Sequence, residues 1–545
     1  MGKAAWLVLL LLVPFPAAPP TAQPAQQDNL GTTWVLDLGE DVWTVADWTN
    51  LVDQGHQPLR HLSPHLLLTW TEGTEPVDVG GIGVERAPPV QWRSGLAAPS
   101  IGEHIALRIV LEPYLPANVK LTIGELLSAH GHLVGEGLDT QHPLASIVTL
   151  ELRERVVLSD FELPGVAWVE PVLSTTARNG LSASLSEHGS MNEHPFWNMG
   201  LDGTGVVLGV ADSGLDADHA CFRNATDSEA LHADAGAEYP ALGRVGPDHR
   251  KILILNTTID GNDTPGHTDY RHGTHVAGTL VCRDVQSERN AEEPTNGSAL
   301  AHGATLVFQD IVNEDGWNPP PVDELLVEAS RAGAIVHSNS WGDDTTAYTA
   351  RTGLFDAYAV AVPWSLAFVA PGNAGEGVLE PANGRNVVAV SATSKSLDPQ
   401  RWGGTAYGPT EAETDGVFLL APGKSIRSAA ADGFLNTNNN NLRSSSGTSM
   451  ATPLAAGGAG VIQQMYEQGW IMGTRESTTE QSARTFAPSW SNIDDITVRL
   501  GQGFTPSGAL LRATLALATT PLSEEHRNGE MGAMSGVHPT TAGVS

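Results

Sequence analysis

The sequence predicts an α/β protein with a mostly parallel central sheet, preceded by small α+β units. Three observations carry that prediction. From about residue 193 to 521, short apolar runs alternate with helical patterns, as a parallel sheet with crossover helices requires. The run Val206-Val207-Leu208-Gly209-Val210-Ala211 is apolar throughout, as a strand covered on both faces must be, and it ends in Asp212-Ser213-Gly214. The stretch Ser446-Gly447-Thr448-Ser449-Met450-Ala451-Thr452-Pro453 sets one hydroxyl among small residues where a loop becomes a helix.

Residues 1–23 carry Lys3, an apolar run over 4–13 and small residues at Ala17 and Ala18, the pattern of a secretory signal peptide. The run is too short to span a bilayer, and no later segment has eighteen uninterrupted apolar residues, so the reading is a secreted or extracytoplasmic protein without stable membrane insertion. Residues 32–172 read as two related α+β units, a degenerate duplication. The second has strand-like runs at 105–111 and 145–150, with a helical pattern near 123–130 between them. The first starts analogously at 34–38 and ends similarly at 81–85. Residues 173–192 are small and polar without a period, which reads as a linker. The domain that follows, over 193–521, has candidate strands at 305–312, 334–338, 366–370, 387–390 and 417–420. Candidate helices lie at 322–332 and 506–514, the latter set off by an insertion around 473–502, and a loose polar tail closes the chain at 522–545.

The formal net charge is −33 with only five lysines, so the basic surface that neutralises phosphates is missing and nucleic acid is excluded as a partner. Two cysteines, Cys221 and Cys282, each lie about ten residues after a chemically informative motif. In an exported protein they read as one disulfide.

A serine alcohol is a weak nucleophile and needs a histidine base oriented by an acid. Ser449 is the candidate nucleophile, His272 in His272-Gly273-Thr274-His275-Val276-Ala277-Gly278 the candidate base, and Asp212 the candidate orienting acid. His275 lies one turn from His272, and chemistry alone does not choose between them. A metal reading fails, because the i+4 histidine spacing and intervening Glu of a metallopeptidase helix are absent. Asp216 and Asp218 read as caps or solvated charges. The Asn438–Asn441 run reads as a surface loop, and Asn224, Asn256, Asn262 and Asn296 open glycosylation sequons.

These three motifs, in the order Asp, His, Ser, resemble those of the subtilisin-like serine peptidases. The resemblance implies a three-layer domain around the sheet and assigns the base to His272. It makes Asn373, in Pro371-Gly372-Asn373-Ala374-Gly375, the side-chain donor of an oxyanion hole. It makes Ser340, Trp341 and Gly342 the wall on which a substrate pairs as an added strand. The segment Pro164-Gly165-Val166-Ala167-Trp168-Val169-Glu170-Pro171 resembles the last strand of the inhibitory propeptide of that family, which implies a zymogen cut in the 173–192 linker. The implied partners are protein or peptide substrates and the chain's own propeptide, and no cofactor is required for catalysis. Structural calcium is left open: where many relatives carry a calcium-binding Asp nine positions after the catalytic Asp, this chain has Cys221. The rival reading is a catalytically silent binding or scaffold relative.

Overall fold

Two short α+β units come first in the computed structural model. It describes residues 30–39, 41–75, 79–80, 82–92, 106–134, 147–153, 155–172, 175–177, 180–181, 195–224, 249–283, 298–375, 377–395, 399–411, 416–434, 437–471, 484–485, 497–498, 503–521 and 540–541. The signal-peptide segment, most of the linker, most of the insertion around 473–502, Asn296 and nearly all of the tail lie outside these. In the first unit, β1 (Thr32–Asp37) leads through a helix (Val45–Asp53) to β2 (Gln57–His61), β3 (Leu66–Thr71) and β4 (Gly83–Arg86), in sheet order β2-β3-β1-β4. In the second, β5 (Gln91–Trp92) precedes β6 (Ala106–Leu111), a helix (Ala117–Leu127), β7 (Gly131–Val134), β8 (Ile147–Leu152) and β9 (Val166–Pro171), in order β5-β9-β6-β8-β7.

Apart from β5, the two paths are the same. The first strand is internal, the helix returns to an edge strand, the next strand pairs with both, and the last takes the other side, all antiparallel. The second helix starts earlier than its apolar pattern, at Ala117, because Pro116 sets the backbone at its N-terminus. Leu59 and Leu68 of the first unit share a core with Leu107, Ile109 and Leu150 of the second, and Arg60 meets the buried Glu112 at 2.9 Å.

Two short strands follow, β10 (Thr175–Ala177) and β11 (Gly180–Leu181), and then the large domain. Its strands β12 (Val207–Asp212), β13 (Ile252–Asn256), β14 (Thr305–Asp310), β17 (Ala334–Asn339), β19 (Leu366–Val369), β20 (Val388–Thr393) and β21 (Leu419–Pro422) form a parallel sheet ordered β13-β14-β12-β17-β19-β20-β21. Between β14 and β17 lies a hairpin of β15 (Val312–Asn313) and β16 (Gly316–Trp317), and after β17 comes β18 (Trp341–Asp343). A further ribbon pairs β22 (Ile426–Ala429) with β23 (Leu442–Ser446). Thr540–Thr541 extends the sheet beside β21, where the sequence suggests a loose tail; an edge strand's open amides and carbonyls take up such a segment.

Two helices lie against the sheet and carry the residues of interest. The histidine helix spans His272–Val281 and the serine helix Thr448–Glu467, and they pack on each other. The serine helix is buried along nearly its whole length. Its run Ala455-Ala456-Gly457-Gly458-Ala459-Gly460 allows that: a Cβ at Gly460 would already sit 3.0 Å from the Leu208 side chain. Sheet and helices share one core that includes Leu208, Val210, Phe308, Val336, Phe368 and Met450.

A carboxylate of the second N-terminal unit reaches this domain. Glu170, at 1% exposure, accepts the Ala350 amide at 2.8 and 3.0 Å through its two oxygens, at the first turn of the helix Ala350–Ala361. Negative charge suits a helix N-terminus. Burial nonetheless pushes this carboxyl up to about 7, with Arg108, the Trp168 indole and the Ala350 amide offsetting part of the rise. A carboxyl raised on docking takes up a proton, so its contribution is complete below its ordinary value of 4.5 and is lost as pH rises through about 7. In an uncut Ser449→Ala chain, hydrogen-exchange protection of the Ala350 amide, corrected for intrinsic rate, should therefore fall across that window. Glu170→Gln should flatten the profile, and an unchanged slope in that variant would contradict this account.

Candidate active site

Strand β12 delivers Asp212 to the carboxyl end of the sheet between β14 and β17, fully buried. Its Oδ1 accepts the Ser213 amide at 2.8 Å and the Nδ1–H of His272 at 2.6 Å. That bond fixes the tautomer: Nδ1 carries the proton and Nε2 is the free base, and Nε2 has no hydrogen-bond partner among the described residues. Burial pushes the imidazole down, but Asp212 and, behind it, Asp269 and Asp263 pull it above its ordinary value.

The histidine helix begins from strained backbone. Asp269 and Arg271, neither a glycine, hold φ of 55° and 75°. The helix lacks a local side-chain cap, and its first amides are met from a distance. Ser213 Oγ accepts Gly273 N at 2.9 Å, while Asp263 accepts Arg271 N at 2.6 Å and Thr274 N at 3.3 Å. Asp263 is buried, and burial pushes it up to about 7. His275 is occupied elsewhere: its Nε2 faces the Ile426 carbonyl at 3.1 Å, and burial holds it down at about 3, a neutral core histidine. Geometry thus makes the choice between the two histidines that chemistry left open.

Ser449 enters at the first turn of the serine helix. Pro453, four residues on, has no N–H to give the Ser449 carbonyl, and Ser340 Oγ fills that position at 3.0 Å. The Ser449 hydroxyl in turn donates to the Ser340 carbonyl at 3.3 Å. Asn373 stands beside them. Its Oδ1 accepts Thr448 N at 2.9 Å and Thr448 Oγ1 at 3.1 Å, which aims its NH2 away from those groups and leaves it buried without an acceptor. An imidazole nitrogen and an amide donor, both desolvated and both without a partner among the described residues, are costly unless a reacting group meets them at some stage.

Trp341 is fully buried, and its indole donates to the Ala211 carbonyl at 3.0 Å. Asp343 is bound by the buried Arg351 at 2.7 Å, which also binds Glu380 at 2.8 Å; the adjoining Asp344 is exposed. This network stiffens the Trp341–Asp343 edge. Strand β10 lies on that edge, antiparallel, with Thr176 opposite Gly342 and Ala177 opposite Trp341. Strand β11 lies on β23, with Gly180 opposite Ser446.

Cys221 and Cys282 form a disulfide with Cα atoms 4.5 Å apart, tying the segment after β12 to the end of the histidine helix. Asp216 and Asp218, read from sequence as solvated or capping, are buried, because the loop before β23 folds over them. Asp218 accepts Thr437 N at 2.6 Å, and the side chain of Asn439, itself buried, donates to Asp216. Asn256 is likewise buried, donating to Glu328 at 2.8 Å, so that sequon is inaccessible in the folded chain. Among the described residues, no group of three or more His, Cys, Asp or Glu side chains is arranged to hold a metal ion.

The model of the Subtilase family matches residues 203–504, more than half of the chain. The chain belongs to that family. A serine protease/ABC transporter B family protein of Dictyostelium discoideum, tagB, is 28% identical over 202 residues, covering 35% of this chain and 10% of that protein. An extracellular protease of Xanthomonas campestris is 24% identical over 309 residues, covering 54% of this subtilase and 50% of its relative. Subtilisin Savinase of Lederbergia lenta is 26% identical over 298 residues, covering 54% and 82%. This subtilase therefore spans a tenth to a half of the first two relatives' length. Among solved structures, fervidolysin of Fervidobacterium pennivorans, a keratinolytic enzyme related to subtilisin, aligns at a TM-score of 0.45 and 17% identity over 80% of this chain and 64% of its own.

Gly273 sits where the helix meets the end of β12. A Cβ there would lie 2.3 Å from the Gly214 carbonyl oxygen and 3.0 Å from Ser213 N, both backbone atoms that cannot rotate away. Gly273→Ala should cost about 1–3 kcal/mol of stability and displace His272. Thermal unfolding and esterase rates check this together, and an alanine variant with unaltered melting and rate would show that the close approach is not required.

Proposed function

We propose that this subtilase is an exported serine endopeptidase, made as a zymogen, that cleaves peptide bonds through an acyl-enzyme on Ser449. The observation that carries the reading is the buried Asp212–His272 bond at 2.6 Å, with Nε2 left unpartnered on the histidine helix that packs against the helix of Ser449. In the forward step His272 Nε2 takes the Ser449 hydroxyl proton as Oγ adds to the scissile carbonyl. Asp212 stabilises the imidazolium without accepting its proton. The oxyanion receives the Asn373 NH2 and the Ser449 amide, near the positive end of the serine helix. The imidazolium then protonates the leaving amine, and a water activated by the same nitrogen frees the acid. Protein or peptide chains are the substrates, paired as an added strand on Ser340, Trp341 and Gly342.

The zymogen reading rests on the two linker strands. Strand β10 lies on the Trp341–Asp343 edge, and β11 on the strand that leads into Ser449. Only three peptide bonds separate Ala177 from Gly180, and Arg178–Asn179 is the central one. Self-cleavage belongs in that window, with residues 32–172 acting as inhibitor and folding aid. Export is supported by the leader-like pattern of residues 1–23 and by the extracellular protease of Xanthomonas campestris among the relatives.

The exported full chain should yield a mature form whose N-terminus lies between residues 178 and 180, with Asn179 expected first, while Ser449→Ala should accumulate uncut. N-terminal sequencing of both decides. Processing of the Ser449→Ala chain at the normal rate, in purified form, would remove Ser449 from the mechanism.

A further inference from the structure

One pair of side chains beside His272 has no part in the mechanism above. The hairpin β15–β16 carries Trp317 over the histidine, with the two rings edge to face at 6.3 Å and 71°. The indole Nε1–H donates to Asp269 Oδ2 at 2.7 Å. Asp269 is bound at its other end too: its carbonyl accepts the His272 amide at 2.8 Å and the Ser213 hydroxyl at 3.1 Å. The residue thus joins the backbone of the histidine, the turn after Asp212 and the ring packed against the imidazole, from a left-handed backbone that costs free energy for any residue but glycine. Trp317 is anchored in turn, packed on the buried cluster of Ala211, Ile311, Leu325 and Trp341.

The covalent link at Cβ and the Asp212 bond at Nδ1 hold two points of the imidazole and leave it free to tilt about the line joining them, and that tilt would carry Nε2 off the line to an attacking hydroxyl. An aromatic edge on one face opposes that tilt. We propose that Trp317, held by the Asp269 carboxylate, is a positioning residue that fixes the imidazole plane of His272. This rests on His272 being the base. The charged and titratable groups around the imidazole are Asp212 from β12, Asp263 and Asp269 from the preceding loop, and the neutral His275 on its own helix. Of these, Asp269 alone also holds the ring, so removing its charge and removing the ring give separable effects.

The test uses the chain expressed in full and taken after processing, with the N-terminus of each variant checked so that every rate is read on the cut form. In Asp269→Asn the side-chain oxygen still accepts the indole but the charge is gone, so the His272 titration midpoint, followed by NMR of histidine-labelled protein, should move down while turnover of p-nitrophenyl acetate at high pH stays near normal. In Trp317→Ala, kcat for the same ester should fall on the order of 10- to 100-fold with little change in KM, and Trp317→Phe, which keeps a ring without the indole donor, should recover part of it. An unmoved midpoint in folded Asp269→Asn, which is readable whether or not the chain is active, overturns the placement of the Asp269 carboxylate beside Trp317 and His272. A Trp317→Ala or Trp317→Phe chain that folds and keeps the parent kcat overturns the positioning role. Absence of esterase activity in the parent would instead refute the peptidase reading.

Discussion

A carboxylate that no water reaches, bonded to an imidazole that no water reaches, is the constraint around which this domain is arranged. Taking both groups out of solvent is expensive, and a buried pair of this kind is seldom retained for stability alone. The surroundings show what holding it requires. Gly273 lets the histidine helix approach the end of β12 closely, and Gly214 lets the loop that carries Asp263 do the same: a Cβ at Gly214 would lie 2.1 Å from the Asn262 carbonyl oxygen. Ser213 and Asp263 satisfy amides that a conventional cap would have met. The disulfide fastens the segment after β12 to the far end of the same helix.

The opposite side of the site is held by different means. Pro453 vacates the Ser449 carbonyl for Ser340, which couples the serine helix to the strand edge where β10 lies. Arg351, between Asp343 and Glu380, keeps that edge rigid from behind. The N-terminal unit reaches the same region by a second route, since Glu170 caps the helix that begins one residue before Arg351. Docking of the second unit and rigidity of the strand edge therefore meet on two consecutive residues, Ala350 and Arg351.

Much of this was legible in the sequence because it is local. Val206 to Asp212 reads as a covered strand ending in an acid, and it is one; the strands near 305, 334 and 366 were read to within a few residues. What escaped was contact between distant segments. Asp269 and Trp317 are 48 residues apart, and Glu170 and Ala350 are 180 apart; neither pair leaves a period or a motif. Asp216 and Asp218 misled for the same reason. An acid in a turn reads as solvated until a distant segment, here Asp432 and Thr437, comes over it and supplies its amides. Among the described residues, the four left-handed non-glycine residues Asp269, Arg271, Ser425 and Asn438 were equally silent, since the contacts that hold such backbone are tertiary.

The central claim is that the buried Asp212–His272 pair activates Ser449 and no other hydroxyl. Reaction of the processed full chain with a fluorophosphonate, followed by peptide mapping, tests it directly. The account predicts a single adduct on Ser449 that is lost when His272 is replaced by Ala. An adduct on a different serine, or none on a folded and processed chain, would contradict it.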